Sequence, residues 1–269
     1  MQYKIGFIGT GVMAGAILDR FLTSIGDFSI SINEIAVFDL DTNKTQKYKD
    51  QGVSVLSSTD EIFANCQITV LGVKPQFYAD ILKNTTKINS ETILSIMAGV
   101  KINTLRSYLG EKIGVVRVMP NTPCTIGKGV MAVCFDNVID DTEQFITNVL
   151  NTCGKTIIIS EDKFDAVTSI SGSGPAYVYM FADAMVKAGI NGGLTEEESK
   201  QLALKTIEGS ALYASMAEFD LGTLVERVCS KGGTTIEAVN VFNDLDLYGI
   251  VDKAIEACRK KSEYLSEKL

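Results

Sequence analysis

A short apolar run, Tyr3–Ile8, is broken by Gly9-Thr10-Gly11 and followed at once by a helical pattern, Val12–Ser24. No other feature limits the fold as tightly, because a strand that turns through glycines straight into a helix is the opening half of a βαβ unit. The pattern then recurs. Glu34–Asp39, Val53–Leu56, Gln67–Val73, Thr92–Met97, Gly114–Met119, Val130–Phe135 and Thr156–Ile159 read as strands. Helical stretches fall among them at Thr42–Asp50, after Ser58-Thr59-Asp60-Glu61, near Ile102–Leu109 and at Asp141–Asn151. Strands spaced by helical patterns of roughly 10–20 residues require right-handed crossovers, so the expected class is α/β with a doubly wound, largely parallel sheet.

From about Asp162 the strand-like runs stop and helical patterns continue to the C-terminus. The polar stretch Ser160–Lys163 marks the boundary, giving an expected dinucleotide-binding domain over 1–161 and an all-helical domain over 162–269. Gly174-Pro175 opens a helix at the position where a missing N–H costs nothing. Its continuation, Ala176–Ala188, carries only Asp183 and Lys187 as charges and is apolar on nearly every face. A helix of that kind must be covered all round, and a domain of this size has little interior to offer, so a subunit interface is expected. Thr195-Glu196-Glu197-Glu198 fits a capping box and starts a long helix to about Phe219, and an amphipathic helix spans roughly Leu247–Glu267.

Ile8-Gly9-Thr10-Gly11-Val12-Met13-Ala14 matches G-x-G-x-x-A at the first strand–helix junction. There Gly9 permits the tight turn, Gly11 lets a pyrophosphate approach the backbone, and Ala14 lets the helix lie close to the strand. The free N–H groups of the helix start then face the phosphates. Asp39, at the end of the second strand, is placed to accept both hydroxyls of an adenosine ribose. It stands 28 positions beyond Gly11, against a usual spacing of about 20, and the polar loop Gly26–Asn33 accounts for the excess. Its carboxylate repels a 2′-phosphate, and neither Leu40 nor Asp41 supplies a compensating cation, so the expected preference is NADH over NADPH. Three further loops stand at strand ends and outline a nicotinamide pocket: Val73-Lys74-Pro75, Ser95–Gly99 and Met119-Pro120-Asn121-Thr122-Pro123.

Composition removes whole classes of chemistry. The 269 residues include no histidine, which excludes Ser-His-Asp hydrolysis, Cys-His thiol catalysis and imidazole proton shuttles. The six cysteines show no C-x-x-C pair and no metal-finger spacing, and read as small core residues of a reduced protein with no metal site. A net charge of −8 argues against nucleic-acid and anionic-membrane partners. With no leader-like start at Met1–Lys4 and no long apolar run, the expected address is the cytoplasm.

Cys229-Ser230-Lys231-Gly232-Gly233-Thr234-Thr235 precedes another helical pattern, Ile236–Phe242. Two glycines and two threonines at a helix start expose N–H donors and hydroxyls, a receptor for a small carboxylate, although an interhelix turn with a threonine cap reads equally well on the residues alone. Ser171-Gly172-Ser173-Gly174-Pro175 poses the same choice, and there a structural cap with tight packing is the better reading.

The segments GFIGTGVMA, VKPQ, SIMAGV, RVMPNTP, DAVTSISGSGPAY and VCSKGGTTIEAV, in this order and nearly end to end, resemble those of the pyrroline-5-carboxylate reductase family. The last two are the specific ones. The resemblance implies a Rossmann domain followed by a helical dimerisation domain, a homodimer and larger assemblies of such dimers. It implies reduction of 1-pyrroline-5-carboxylate to L-proline, the last step of proline biosynthesis, by NADPH or NADH. By position, Ile8, Gly9, Thr10, Gly11, Val12, Met13, Asp39, Thr59, Gly72, Val73, Lys74, Pro75, Ile96, Met97 and Ala98 would line the cofactor site. Glu218, Thr234 and Thr235 would meet the substrate, with Ser230, Gly232 and Gly233 completing its turn. Arg227 and Lys231 depart from members that carry Asn and Pro there.

The resemblance implies chemistry that does without histidine. An imine nitrogen is basic and can enter already protonated, so hydride delivery to the C=N carbon needs little general acid help, and the protein's work is orientation. N–H groups around Gly233–Thr235 would hold the carboxylate, the Thr235 hydroxyl would orient the ring nitrogen, and Glu218 would stabilise the iminium charge or support the site. Two rivals are a β-hydroxyacid dehydrogenase, which needs a catalytic Lys on the helix where only Lys187 stands, and a nucleotide-sensing protein without turnover. Subunit number, feedback by proline and the range of cyclic imines lie beyond the sequence.

Overall fold

The computed structural model describes residues 1–268. It divides into two compact units, one of Met1–Ser173 with the chain from Cys258 onward, the other Gly174–Ala257. The packing division thus falls twelve residues beyond the 161/162 boundary read from texture, and the end of the last helix returns to the first unit.

The first unit is built on one eight-stranded sheet. In chain order its elements are β1 (Tyr3–Ile8), α1 (Val12–Thr23), β2 (Ile35–Phe38), α2 (Thr42–Asp50), β3 (Ser54–Val55), α3 (Thr59–Asn65) and β4 (Cys66–Leu71). There follow α4 (Tyr78–Asn84), β5 (Thr92–Ser95), α5 (Ile102–Leu109), β6 (Gly114–Met119), β7 (Gly129–Asp136), α6 (Asp140–Asn151) and β8 (Gly154–Ile158). The strand order is β3-β2-β1-β4-β5-β6-β7-β8. Every neighbouring pair is parallel except β6–β7, which is antiparallel. The short connection through Thr122–Ile126 explains the exception, since it holds no crossover helix of the kind a parallel return requires.

Near-continuous apolar strands follow from cover on both faces. One core joins Phe7, Val37, Val70 and Val116 to Leu18 and Phe21 of α1, Tyr48 of α2 and Leu150 of α6. The other joins Ile8, Leu71 and Val115 to Phe63 of α3, Tyr78 of α4 and Leu105 of α5. The chain runs outward from β1 to β3, then starts again on the other side of β1 with β4, so the order reverses between these two strands. Open α/β sheets bind ligands outside the carboxyl ends of strands at such a point.

Arg117 on β6 is 5% exposed. Its guanidinium lies 2.8 Å from Glu161 and 4.6 Å from the Phe164 ring centroid. Glu161 also accepts the Ile102 N–H at 2.7 Å, so one ion pair ties β6, the start of α5 and the segment beyond β8. Removing one partner strands the other in a poorly solvated place. Arg117→Ala is expected to lower unfolding stability by about 3 kcal/mol, measured by urea titration at fixed protein concentration; a shift below about 0.5 kcal/mol, the surface-substitution range, would contradict this account.

After β8 come α7 (Phe164–Val167) and a π-helical turn over Thr168–Gly172. The second unit then holds α8 (Gly174–Asn191), α9 (Glu196–Met216), α10 (Leu221–Val228), α11 (Thr234–Asp244) and the first half of α12 (Leu247–Lys268). The Thr195–Glu198 capping box is formed, and α9 ends three residues before the expected Phe219. Helix α8 buries only Ala182, while Tyr179 and Met180 are 60% and 72% exposed. On α9, Leu212, Tyr213 and Met216 are exposed as well. Apolar surface on this scale marks an interaction face, in keeping with the interface expected from the α8 sequence.

Candidate functional site

The glycine turn has the geometry its residues predict. Gly9 sits at φ +87°, and a Cβ there would come within 3.0 Å of the Gly72 backbone. Gly72 in turn leaves no room, since a Cβ on it would lie 2.4 Å from the Cβ of Ala14. This is the close helix–strand packing for which a small third residue is needed. Gly11 differs: nothing lies within 4 Å of where its Cβ would be. It caps α1 without any side-chain cap, so the first N–H groups of the helix point into open space.

A cleft of about 730 Å³ opens there, at the carboxyl ends of β1, β2 and β4. Gly9, Gly11, Asp39, Thr59, Gly72, Val73 and Lys74 line it, together with Phe38, Leu40, Phe77 and Ile81. Open N–H donors, a carboxylate and an apolar wall fit a dinucleotide. Ile8, Thr10, Val12, Met13 and Pro75 flank these residues in the chain without lining the cleft, and Ile96, Met97 and Ala98 follow β5, two strands from β1 along the sheet. Sequence reasoning missed Lys44, Ser57, Ser58, Phe77, Asp80 and Asn84. The helix α4 that carries the last two lay in a stretch without a clear period, so no pattern announced them.

Asp39 lies just past β2 and its side chain is 11% exposed. Its Oδ2 accepts the Thr10 N–H at 2.8 Å and the Thr10 hydroxyl at 3.1 Å, and Oδ1 accepts the Asp41 N–H at 2.9 Å. Burial works against the charge, but these hydrogen bonds and the Lys44 ammonium outweigh it and hold the carboxyl below its ordinary range. A carboxylate offers about four acceptor positions, so the three protein donors leave room for one more. Lys44 Nζ stands 3.8 Å from Asp39 Oδ1 and 4.0 Å from Asp41 Oδ2. That corrects the expectation of no compensating cation: the neighbours Leu40 and Asp41 supply none, but the first turn of α2 brings Lys44 back over the acid.

The second unit carries the other predicted group. Gly233 caps α11 without a side-chain cap, and its N–H donates to Ser230 O at 2.9 Å, closing a turn with Gly232 at φ +74°. A Cβ on Gly233 would lie 2.3 Å from Ser230 Oγ and 3.1 Å from the Ser230 carbonyl oxygen, so the turn is closely packed on itself. Thr234 and Thr235 begin α11, the former exposed and the latter half-buried. Glu218 is exposed in the link between α9 and α10. Arg227 stacks on the Phe219 ring at 4.3 Å, which gives that departure a packing role. Lys187 pairs with Asp183 at 2.6 Å on the surface of α8, the pose of an ordinary solvated ion pair.

Cys66, Cys124 and Cys153 are buried, as small core residues are. Burial pushes the Cys66 thiol up to about 12 and the Cys124 thiol up to about 11, far from a reactive thiolate. At Gly172, a Cβ would meet Met119 Cε at 2.5 Å, so the end of the Met119 side chain lies against this glycine.

Residues 161–265 match the family model for pyrroline-5-carboxylate reductase dimerisation. Residues 4–99 match that of NADP oxidoreductases, coenzyme F420-dependent. The pyrroline-5-carboxylate reductase of Escherichia coli K12 is 34% identical over 272 residues, covering 99% of this chain and 100% of the relative. Among solved structures, a Plasmodium falciparum pyrroline carboxylate reductase with NADP bound superposes with a TM-score of 0.86 at 30% identity, covering 99% of both chains. The Coxiella burnetii pyrroline-5-carboxylate reductase gives 0.88 at 28% identity, covering 98% of this chain and 99% of the other.

Proposed function

The chain belongs to the pyrroline-5-carboxylate reductase family, and we propose on that premise how its own residues perform the reduction of 1-pyrroline-5-carboxylate to L-proline. The observation that carries the reading is the open Gly11 turn beside Asp39, at the sheet's switch point, in a chain related to these reductases over 99% of its length. Residues 1–161 serve as the dinucleotide-binding domain and 162–269 as the substrate and dimerisation domain, a division supported by a dimerisation-family match that begins at residue 161.

NAD(P)H supplies the hydride when bound. The N–H groups at the start of α1 hold its pyrophosphate, and Asp39 takes the adenosine ribose. Gly9, Gly11, Thr59, Gly72, Val73 and Lys74 line the cleft for the cofactor, Ile8, Thr10, Val12, Met13 and Pro75 back them in the chain, and Ile96–Ala98 stand further along the sheet, on the side of the nicotinamide. In the helical unit, the N–H groups of Gly233–Thr235 hold the substrate carboxylate, with Ser230 and Gly232 fixing the turn. The Thr235 hydroxyl orients the ring nitrogen, and Glu218 faces its positive charge. A protonated C=N bond that gains hydride at carbon becomes the secondary amine of proline without a proton donor from the protein, which accommodates a chain with no histidine. The decisive test mixes protein, NADH or NADPH and pyrroline-5-carboxylate and follows the loss of nicotinamide absorbance. No oxidation with either cofactor removes the reading.

The cofactor is NAD(P)H, and Asp39 leans the choice towards NADH. Lys44 moderates that lean. The expected result is that Asp39→Asn raises the NADPH-to-NADH ratio of kcat/KM about tenfold, one interaction with a charged group. An unchanged ratio takes Asp39 out of the selection. Because its carboxyl is held below the ordinary range, Asp39 stays ionised through neutral and mildly acidic pH and adds no pH dependence of its own to the ratio there; its contribution is lost only as the pH falls through that depressed value.

The exposed apolar faces of α8 and α9 pair with a second copy, giving a homodimer through the helical domain and a larger homo-oligomer built from such dimers. Among the described residues no helix is long and apolar enough to cross a membrane.

A further inference from the structure

The missing N–H of Pro175 costs α8 nothing, since the first N–H groups of a helix have no partner within it, but it leaves the Ser171 carbonyl in the preceding turn without that backbone donor. In an α-helical turn the carbonyl of Ser171 would accept from the N–H of residue 175, which proline lacks. The side chain of Asn121 fills that place, donating from Nδ2 to Ser171 O at 3.1 Å. Its Oδ1 accepts the Val130 N–H at 2.9 Å, and its own carbonyl accepts the Cys124 N–H at 3.1 Å. Asn121 is 8% exposed, and both ends of its amide are engaged within the protein. It thereby joins three pieces: the loop at the carboxyl end of β6, the start of β7 and the π-helical turn 168–172. Such turns recur at functional sites.

The loop so held borders the glycine turn. Cys124 Sγ lies 3.3 Å from Met13 Sδ in the first turn of α1. Met119, at the end of β6, presses on Gly172 of the π-turn. The loop stands on the same sheet edge as Gly9, Gly72 and Ile96, because β1, β4, β5 and β6 run parallel.

We propose that Asn121 is a positioning residue for the reduction: by replacing the donor that Pro175 lacks, it fixes the β6 loop against the π-turn, and so fixes the reactive end of the crevice. The inference rests on the dinucleotide reading of the cleft. It separates cofactor binding, which the glycine turn provides, from turnover, which needs the loop in register.

Asn121→Asp keeps the shape and the acceptor for Val130 but sets a carboxylate oxygen against the Ser171 carbonyl. Protonation restores the donor. The expected result at pH 8 is a kcat about tenfold below wild type, the loss of one buried hydrogen bond, with the cofactor Kd from fluorescence titration within twofold. The variant-to-wild-type ratio of kcat should climb as pH is lowered. Asn121→Ala should lose the same activity at every pH. Pro175→Ala restores a backbone N–H to the turn, so adding it to Asn121→Ala should recover part of the loss. A melting temperature that falls while kcat per folded protein is unchanged, a flat pH ratio for Asn121→Asp, or strict additivity with Pro175→Ala would each overturn the proposal. A collapse of cofactor affinity in both variants would also overturn it. Absence of cofactor binding by the wild-type protein would instead refute the dinucleotide reading on which it stands.

Discussion

Gly11→Ala is expected to leave the fold intact and abolish useful cofactor affinity. The φ at Gly11 is −64°, which any residue adopts, and a Cβ there meets nothing within 4 Å, so urea midpoint and melting temperature should match wild type. The methyl group instead fills the space through which a pyrophosphate reaches the helix N–H groups. Losing two charge-assisted hydrogen bonds at about 1.5–2 kcal/mol each amounts to a Kd increase of about 100-fold or more, read by fluorescence titration with NADH and NADPH. Gly72→Ala makes the contrast, because its Cβ would strike Ala14 at 2.4 Å and drive α1 off the sheet. That variant should lose stability and binding together. Wild-type affinity in Gly11→Ala would move the pyrophosphate away from this turn.

Thr235→Ala carries the second large expectation. Thr235 is half-buried in the first turn of α11, with no side-chain cap at Gly233 to compete for the exposed donors. Removing its hydroxyl should lower kcat/KM for pyrroline-5-carboxylate by about tenfold or more, the size of one hydrogen bond to a charged group. Thr235→Ser, which keeps the hydroxyl, should recover most of it. Cofactor Kd should not move in either variant, since the glycine turn that binds it is elsewhere in the chain. Unchanged kinetics in Thr235→Ala would remove this residue from the mechanism.

Much of the Rossmann unit was legible because its signals are local. An apolar run long enough for one strand, a glycine turn and a helical period each depend on a few neighbouring residues, and both faces of every inner strand had to be apolar to be covered. The fingerprint was legible for the same reason: Gly9, Gly11 and Ala14 act within a single turn of backbone. The antiparallel β7 was not, since strand direction depends on how the chain returns and not on the residues of the strand. The antiparallel return is visible only once Thr122–Ile126 is seen to make a tight connection.

The site divides along the same line. Asp39 is marked by its place at a strand end, yet its partners are set by packing. Thr10 reaches it from 29 positions away, and Lys44 reaches it because one helical turn of α2 brings its ammonium back over the acid. Reading only Leu40 and Asp41 as neighbours missed that cation, because the chain turns into α2 just after Asp39 and the long Lys44 side chain reaches back to within 3.8 Å of the carboxylate. Asn121 shows the point most sharply. Nothing in Met119–Pro123 tells that its amide serves the carbonyl of Ser171, fifty residues on.

What the amino-acid sequence by itself determined was the α/β class, the glycine turn, the family and the absence of imidazole chemistry. Each follows from short-range geometry or from which side chains exist at all. What only the tertiary structure decided was which charges and donors meet: Lys44 over Asp39, Arg117 on Glu161, Asn121 beneath the turn that Pro175 leaves unpaired. The physical reason is that hydrogen bonds and ion pairs act over a few ångströms, and which groups come that close is fixed by the packed sheet and helices, not by their order along the chain.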